Sequence, residues 1–254
     1  MKIKIKNKFG NEIDTKIQTI LDEFLPQSEH SHYSNKQLDI IVSDQVYDDL
    51  MKYSGDKMKS LLIENGYSPH LAVTILPEDK NYSKFQIILD SNIFDEFQYF
   101  STIVHELTHV KDYINYFNKN GNVYLGCAFF NDFYYWTEFN AKREGLKVLL
   151  RELNKIGGNI DLERSALSFV EVVHSTPSFG QKVYELVHFF ARISLIDEVG
   201  DLNLNHTYFP KSFISFIFGE SAFDLYKILY DTLDYNKFEL NKKLINYYLN
   251  RMTA

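Results

Sequence analysis

From Phe97 to Ile114 the apolar residues recur at three- and four-residue steps. Phe97, Phe100, Ile103, Val104, Leu107, Val110 and Ile114 therefore share one broad face of a helix. The 254-residue chain holds only 5 Pro and 11 Gly, which favours long helices over a turn-dense β-sandwich. Hydrophobic residues at 45% and charged residues at 24% exclude wholesale disorder. The length suits one generous domain or a compact domain with an added layer. Aromatics at 16% favour large packed cores or an aromatic-lined groove. The single cysteine, Cys127, excludes an intrachain disulfide framework and a Cys-rich zinc module.

Before this helix the pattern is mixed. Lys2–Lys6 reads as a short strand, 14–24 as a helix and 27–35 as a polar loop holding His30 and His32. Leu38–Val42 reads as a buried strand, and 49–65 as an amphipathic helix ended by Gly66. Two more strand-like runs, 71–76 and 85–89, flank a polar, hairpin-like gap at 77–84. After residue 94 the pattern stays helical. A second long helix covers about 131–154, Gly157-Gly158-Asn159 breaks the chain, and 161–200 and 211–251 are helical with interruptions. The expected fold is α+β, with a small mixed or antiparallel sheet and a mainly helical C-terminal half. The expected division is 1–156 as the site-bearing domain and 157–254 as a helical subdomain packed on it.

A net charge of −7 is a poor match for backbone-driven nucleic-acid binding. No run of about 18 apolar residues occurs, and no apolar core follows the Lys-rich start, so neither a membrane span nor a secretory leader is expected. The expectation is a cytoplasmic protein.

Residues 105–109 read His-Glu-Leu-Thr-His. On a helix, positions four apart lie on one face, so His105 and His109 can converge on one Zn²⁺ at about 2.0–2.1 Å. Glu106 lies about 100° further around. It can stand beside the metal without binding it and take a proton from zinc-bound water. A glutamate inside an apolar helix is costly unless it has a task. Catalytic zinc usually takes a third protein ligand. A Gly at 112 and a His at 115 would supply one pattern, but the chain has Asp112 and Asn115. The better candidate is Glu138, which shares a face with Ala141 and Gly145 on the next long helix. Glu144 and Asp132 are the alternatives.

HELTH followed by Glu138-x-x-Ala141 resembles the gluzincin metallopeptidases, and within them is most similar to the ImmA/IrrE-like group. The resemblance covers residues 84–150. It implies that His105, His109 and Glu138 bind zinc, that Glu106 is the catalytic base, and that a protein or peptide is the substrate. It also implies a cleft whose edge strand pairs with extended peptide. Phe85–Asp90, directly before the helix, is the candidate edge, with Phe85, Ile87 and Leu89 as candidate substrate contacts.

Asp112, three residues after His109, either orients an imidazole or lies on the surface. A donor for the oxyanion is also needed. His174 is taken as the candidate, with Tyr134, Tyr135, His206 and Arg143 as others. Two E-x-x-H pairs, Glu171/His174 and Glu185/His188, could mark a di-iron bundle, but only 14 residues separate them. They read instead as core or rim residues of a helical layer. Lys111 breaks the uncharged flank of the motif and leaves a second possibility, a zincin-like chain that binds peptides without cleaving them.

Overall fold

The computed structural model describes residues 1–25, 33, 35–55, 59–60, 71–77, 81–95, 97–121, 131–159, 161–197 and 209–252. His30, His32, His70, Cys127, His206 and the helix tail expected at 61–65 lie outside these residues. The fold is α+β with a small mixed sheet. Its contacts gather into two compact units, Met1–Asn122 and Val123–Ala254.

The first unit holds strands β1 (Lys2–Lys6), β2 (Gln37–Ser43), β3 (Ala72–Ile75) and β4 (Lys84–Asp90), in the order β1-β2-β4-β3. β1 and β4 each run parallel to β2, and β3 returns antiparallel to β4. Parallel strands are covered on both faces. Accordingly Leu38, Ile40, Phe85, Ile87, Ile88 and Leu89 are all fully buried. β4 is therefore not an edge, as the expected substrate strand must be. It is paired on both sides, and among the described strands the edges are β1 and β3. Phe85, Ile87 and Leu89 point their side chains into the core rather than toward a cleft.

Among its described residues this unit also holds helices α1 (Asn11–Phe24), α2 (Val46–Tyr53) and α3 (Gln98–Asn120), the last entered through a 3-10 turn at Ser91–Asp95. α3 buries Ile103, Val104, Leu107, Val110, Ile114 and Phe117. Phe97 is an exception to the expected face: it sits at the N-cap, 44% exposed, stacked on Phe100. Gly121, at φ +65°, ends the helix and donates its N–H to the Phe117 carbonyl. That positive φ is open to glycine and strained for a side chain. Lys111 lays its ammonium over the Phe24 ring of α1, 5.0 Å from the centroid. A cation–π contact of this kind explains how a lysine is accommodated beside the motif.

The second unit is helical among its described residues: α4 (Asp132–Lys155), α5 (Leu162–Ser175), α6 (Phe179–Ile193), α7 (Lys211–Phe218), α8 (Ser221–Asp231) and α9 (Tyr235–Met252). The sequence caps three of these starts. Asn131, Asp161 and Ser178 each accept a backbone N–H three residues on. α4 packs on α6 and α9. Trp136, fully buried, donates from Nε1 to the Thr232 carbonyl at 2.7 Å and stacks on Phe238.

Candidate metal centre

α3 places the His pair. His105 and His109 stand one turn apart, with their Nε2 atoms 3.0 Å from each other and their rings nearly perpendicular. Two nitrogens bound to one tetrahedral ion at about 2.0–2.1 Å stand roughly 3.3 Å apart. The pair is thus close to the spacing that a single ion requires. Two N–H groups cannot face each other at 3.0 Å, so at least one Nε2 presents its lone pair. His105 is half-buried and His109 buried.

Glu106 projects toward β3. Its Oε2 accepts the Thr74 hydroxyl at 2.7 Å, and the same hydroxyl lies 3.3 Å from the Glu106 carbonyl. Thr74 thereby fixes the plane of a carboxylate that is 7% exposed. Asp112 is buried on the same helix.

α4 places Glu138. It is buried, and its Oε2 lies 3.0 Å from His188 Nε2 on α6. The two helices run parallel, matched rung by rung. Tyr134 stacks on Tyr184, Tyr135 Oη donates to the Gly180 carbonyl, Glu138 meets His188, and Arg143 Nε donates to Ser194 Oγ. Beyond Glu138, Lys142, Glu185 and Arg192 continue the polar seam. Burial, then the nearby Arg192, holds the Lys142 ammonium below its ordinary value, while Glu185 and Glu138 pull it back. Burial raises the Glu185 carboxyl against the pull of Lys142 and Arg192.

The ligand atoms of His105, His109 and Glu138 all lie within 4.8 Å of one another, and a His-His-Glu group of this kind could hold one metal ion. Two imidazoles and a carboxylate form a donor set suited to a divalent transition metal. The other candidates lie on the helices of the second unit, with partners or exposure of their own. Glu144 is tied to Lys147 at 2.6 Å and to Arg143 at 3.6 Å. Asp132 accepts the Phe133 N–H at the start of α4, and burial raises its carboxyl. His174 is exposed in the last turn of α5, as is Glu171. Tyr135 gives its proton to the Gly180 carbonyl, and burial pushes its phenol upward. Arg143 is engaged with Ser194.

No protein-family model matches the chain, and no curated protein or solved structure matches it.

Sequence reasoning leaves out Thr74, which meets Glu106, and reads His188, which meets Glu138, only as a core or rim residue of a helical layer. For Thr74 the sequence carries no signal beyond a hydroxyl on a short strand. For His188 a signal exists. Glu185, His188 and Arg192 fall at i, i+3 and i+7 on a helix whose other positions include buried Val183, Leu186, Val187, Phe189, Phe190 and Ala191. A polar stripe on so apolar a helix needs a polar partner.

Proposed function

We propose that the chain is a zinc-dependent metallopeptidase of the zincin type, hydrolysing a protein or peptide substrate. The observation that carries this reading is the meeting of His105, His109 and Glu138 within ligand distance, with Glu106 next to the first ligand on a continuous helix. His105, His109 and Glu138 would hold the metal. When bound, zinc supplies Lewis acidity, which makes water acidic enough to lose a proton near neutral pH and draws electron density from a carbonyl.

The remaining chemistry belongs to the chain. Glu106 takes a proton from the attacking water as the water oxygen bonds to the scissile carbonyl carbon. When the carbon–nitrogen bond breaks, Glu106 returns that proton to the leaving amine. Thr74 prepares the step by fixing the Glu106 carboxylate through its hydroxyl. β3 also supplies a sheet edge next to the active-site helix, since Thr74 lies on it. An extended peptide laid along β3 would add main-chain hydrogen bonds and run past Glu106. β3 takes the place that the sequence reading gives to β4.

The test is elemental mass spectrometry of the native protein, with His105→Ala and Glu138→Ala beside it, followed by cleavage of an unfolded protein mixture. One metal per chain, lost in both variants, is the expected result. Glu106→Gln is expected to keep the metal and lose cleavage by about 10²–10⁴-fold, the ordinary contribution of a general base. A Glu106→Gln chain that cleaves like wild type would overturn the mechanism. A metal-loaded wild type that binds peptides and leaves them intact would point to the binding-only alternative.

A further inference from the structure

The polar seam between α4 and α6 has one member aimed directly at a proposed metal ligand. We infer that His188 is a positioning residue, holding the Glu138 carboxylate in the orientation that metal binding needs. This rests on the metal reading above.

The geometry supplies the argument. His188 Nε2 lies 3.0 Å from Glu138 Oε2. A carboxylate only accepts, so the proton sits on Nε2 and the imidazole donates. The two side chains are 16% and 11% exposed, which makes a contact with little solvent to compete for either partner. His188 is in turn held by its own helix. The Tyr184 ring, one turn earlier, lies 4.1 Å from the imidazole centroid, and Tyr134 covers Tyr184 from α4. Tyr134 and Glu138 are one turn apart on α4, as Tyr184 and His188 are on α6. The aromatic rung thus fixes the ring plane of the histidine in the rung beside it.

The chemistry explains why such a partner matters. A glutamate has three rotatable side-chain bonds and would lose freedom on binding an ion. A donor that already occupies one oxygen removes part of that loss before the ion arrives. Groups that hold a ligand in this way typically account for 10–100-fold in metal affinity.

The experiment uses two nearly isosteric replacements in the full chain. His188→Gln keeps a donor at about the position of Nε2, and His188→Met keeps the length and the packing without one. Zinc affinity is read by competition with a chromophoric chelator, so no substrate or activity is needed. The expected result is a loss of about 10–100-fold for His188→Met, with His188→Gln staying within a few-fold of wild type. Equal affinity of His188→Met and wild type would overturn the assignment. So would equal losses in both variants, because ring shape rather than the donated proton would then be what counts. A His188→Met chain that fails to fold would assign the residue to the core and also overturn it. His105→Ala separates the two readings. If wild type binds zinc and His105→Ala does not, while His188→Met binds normally, the positioning role alone falls. If wild type binds no zinc, the metal reading falls and the positioning role with it.

Discussion

Trp136 stands two residues before Glu138, and Trp136→Phe should loosen the helix that presents the carboxylate. The indole is fully buried, as is Thr232, whose carbonyl accepts the Nε1 proton at 2.7 Å. Phenylalanine cannot donate. The Thr232 carbonyl would be left buried without that proton, a loss of about 1–3 kcal/mol. The smaller ring also leaves a gap beside Phe133, Tyr235 and Phe238, which now pack on the indole. Partial collapse around a cavity of that size costs about 1–2 kcal/mol more. The expected destabilisation is therefore about 2–5 kcal/mol. Urea unfolding followed by far-UV circular dichroism measures it in both chains. Trp136 is the single tryptophan, so wild-type fluorescence reports on this site alone. It should be blue-shifted in the native state and move to the red in the same urea range as the helical signal. A loss below about 1 kcal/mol would refute the reasoning, because it would mean that the hydrogen bond and the ring contacts carry no more than an ordinary core substitution. A native emission already at the solvent position would refute it too.

Two further outcomes follow from the first unit. Thr74→Val keeps the β-branched shape on β3 but removes the hydroxyl from Glu106 Oε2. It should lower peptide cleavage by about 10–100-fold, the worth of one hydrogen bond to a charged group, with metal content unchanged. Loss of metal together with activity would show that Thr74 supports the helix rather than the carboxylate. Asp39→Asn tests a buried carboxylate on β2 that meets Lys6 at 2.8 Å, Lys84 at 3.6 Å and the Gln37 amide at 2.7 Å. Burial raises the Asp39 carboxyl, but the hydrogen bonds from Lys6 and Gln37 and the two lysine charges outweigh it and leave it below the ordinary carboxylate value. A lowered folded-state pKa gives stability that is complete above the unfolded value of about 3.9 and disappears as pH falls through the folded value. The lysines are half-exposed, so the variant should be less stable than wild type by only about 1 kcal/mol near neutral pH. The gap should narrow below about pH 4. A gap that stays constant with pH in urea titrations would show that the charge of Asp39 is irrelevant.

What the sequence makes legible, and what it does not, divides along the range of the interactions. The helix carrying His105 and His109 is legible because three- and four-residue periodicity is local. Glu138 is legible because one and two turns of helix relate it to small neighbours that are indeed buried, Ala141 and Gly145. The position of β4 is readable in principle. Phe85–Leu89 is an unbroken buried run, the mark of a strand covered on both faces, whereas β3 is half-buried along most of its length. Proximity in sequence to the helix of His105 and His109 points to a strand that is not an edge, because chain order and sheet order differ here. β3 lies outside β4 although it comes first in sequence. His188 is the hardest. Its partner is 50 residues away, and only the parallel docking of α4 and α6 aligns the two. No local pattern contains that register.

The α4–α6 seam also bears on whether these charges are accidental. Glu138, Lys142, Glu185, His188 and Arg192 lie within two helices that are otherwise rich in buried apolar residues. Taking ions out of water is expensive, and replacing a buried ion pair by well-packed apolar residues is often neutral or stabilising by about 1–4 kcal/mol. Two helices docked for stability alone have no need of such a stripe. The cost is intelligible if Glu138 must remain an oriented anion. Lys142 and Arg192 then offset the burial of Glu138 and Glu185, and His188 supplies the directional contact that a bare charge cannot. In this arrangement the polar seam would serve the candidate metal centre, running from the Glu138 carboxylate along the α4–α6 contact.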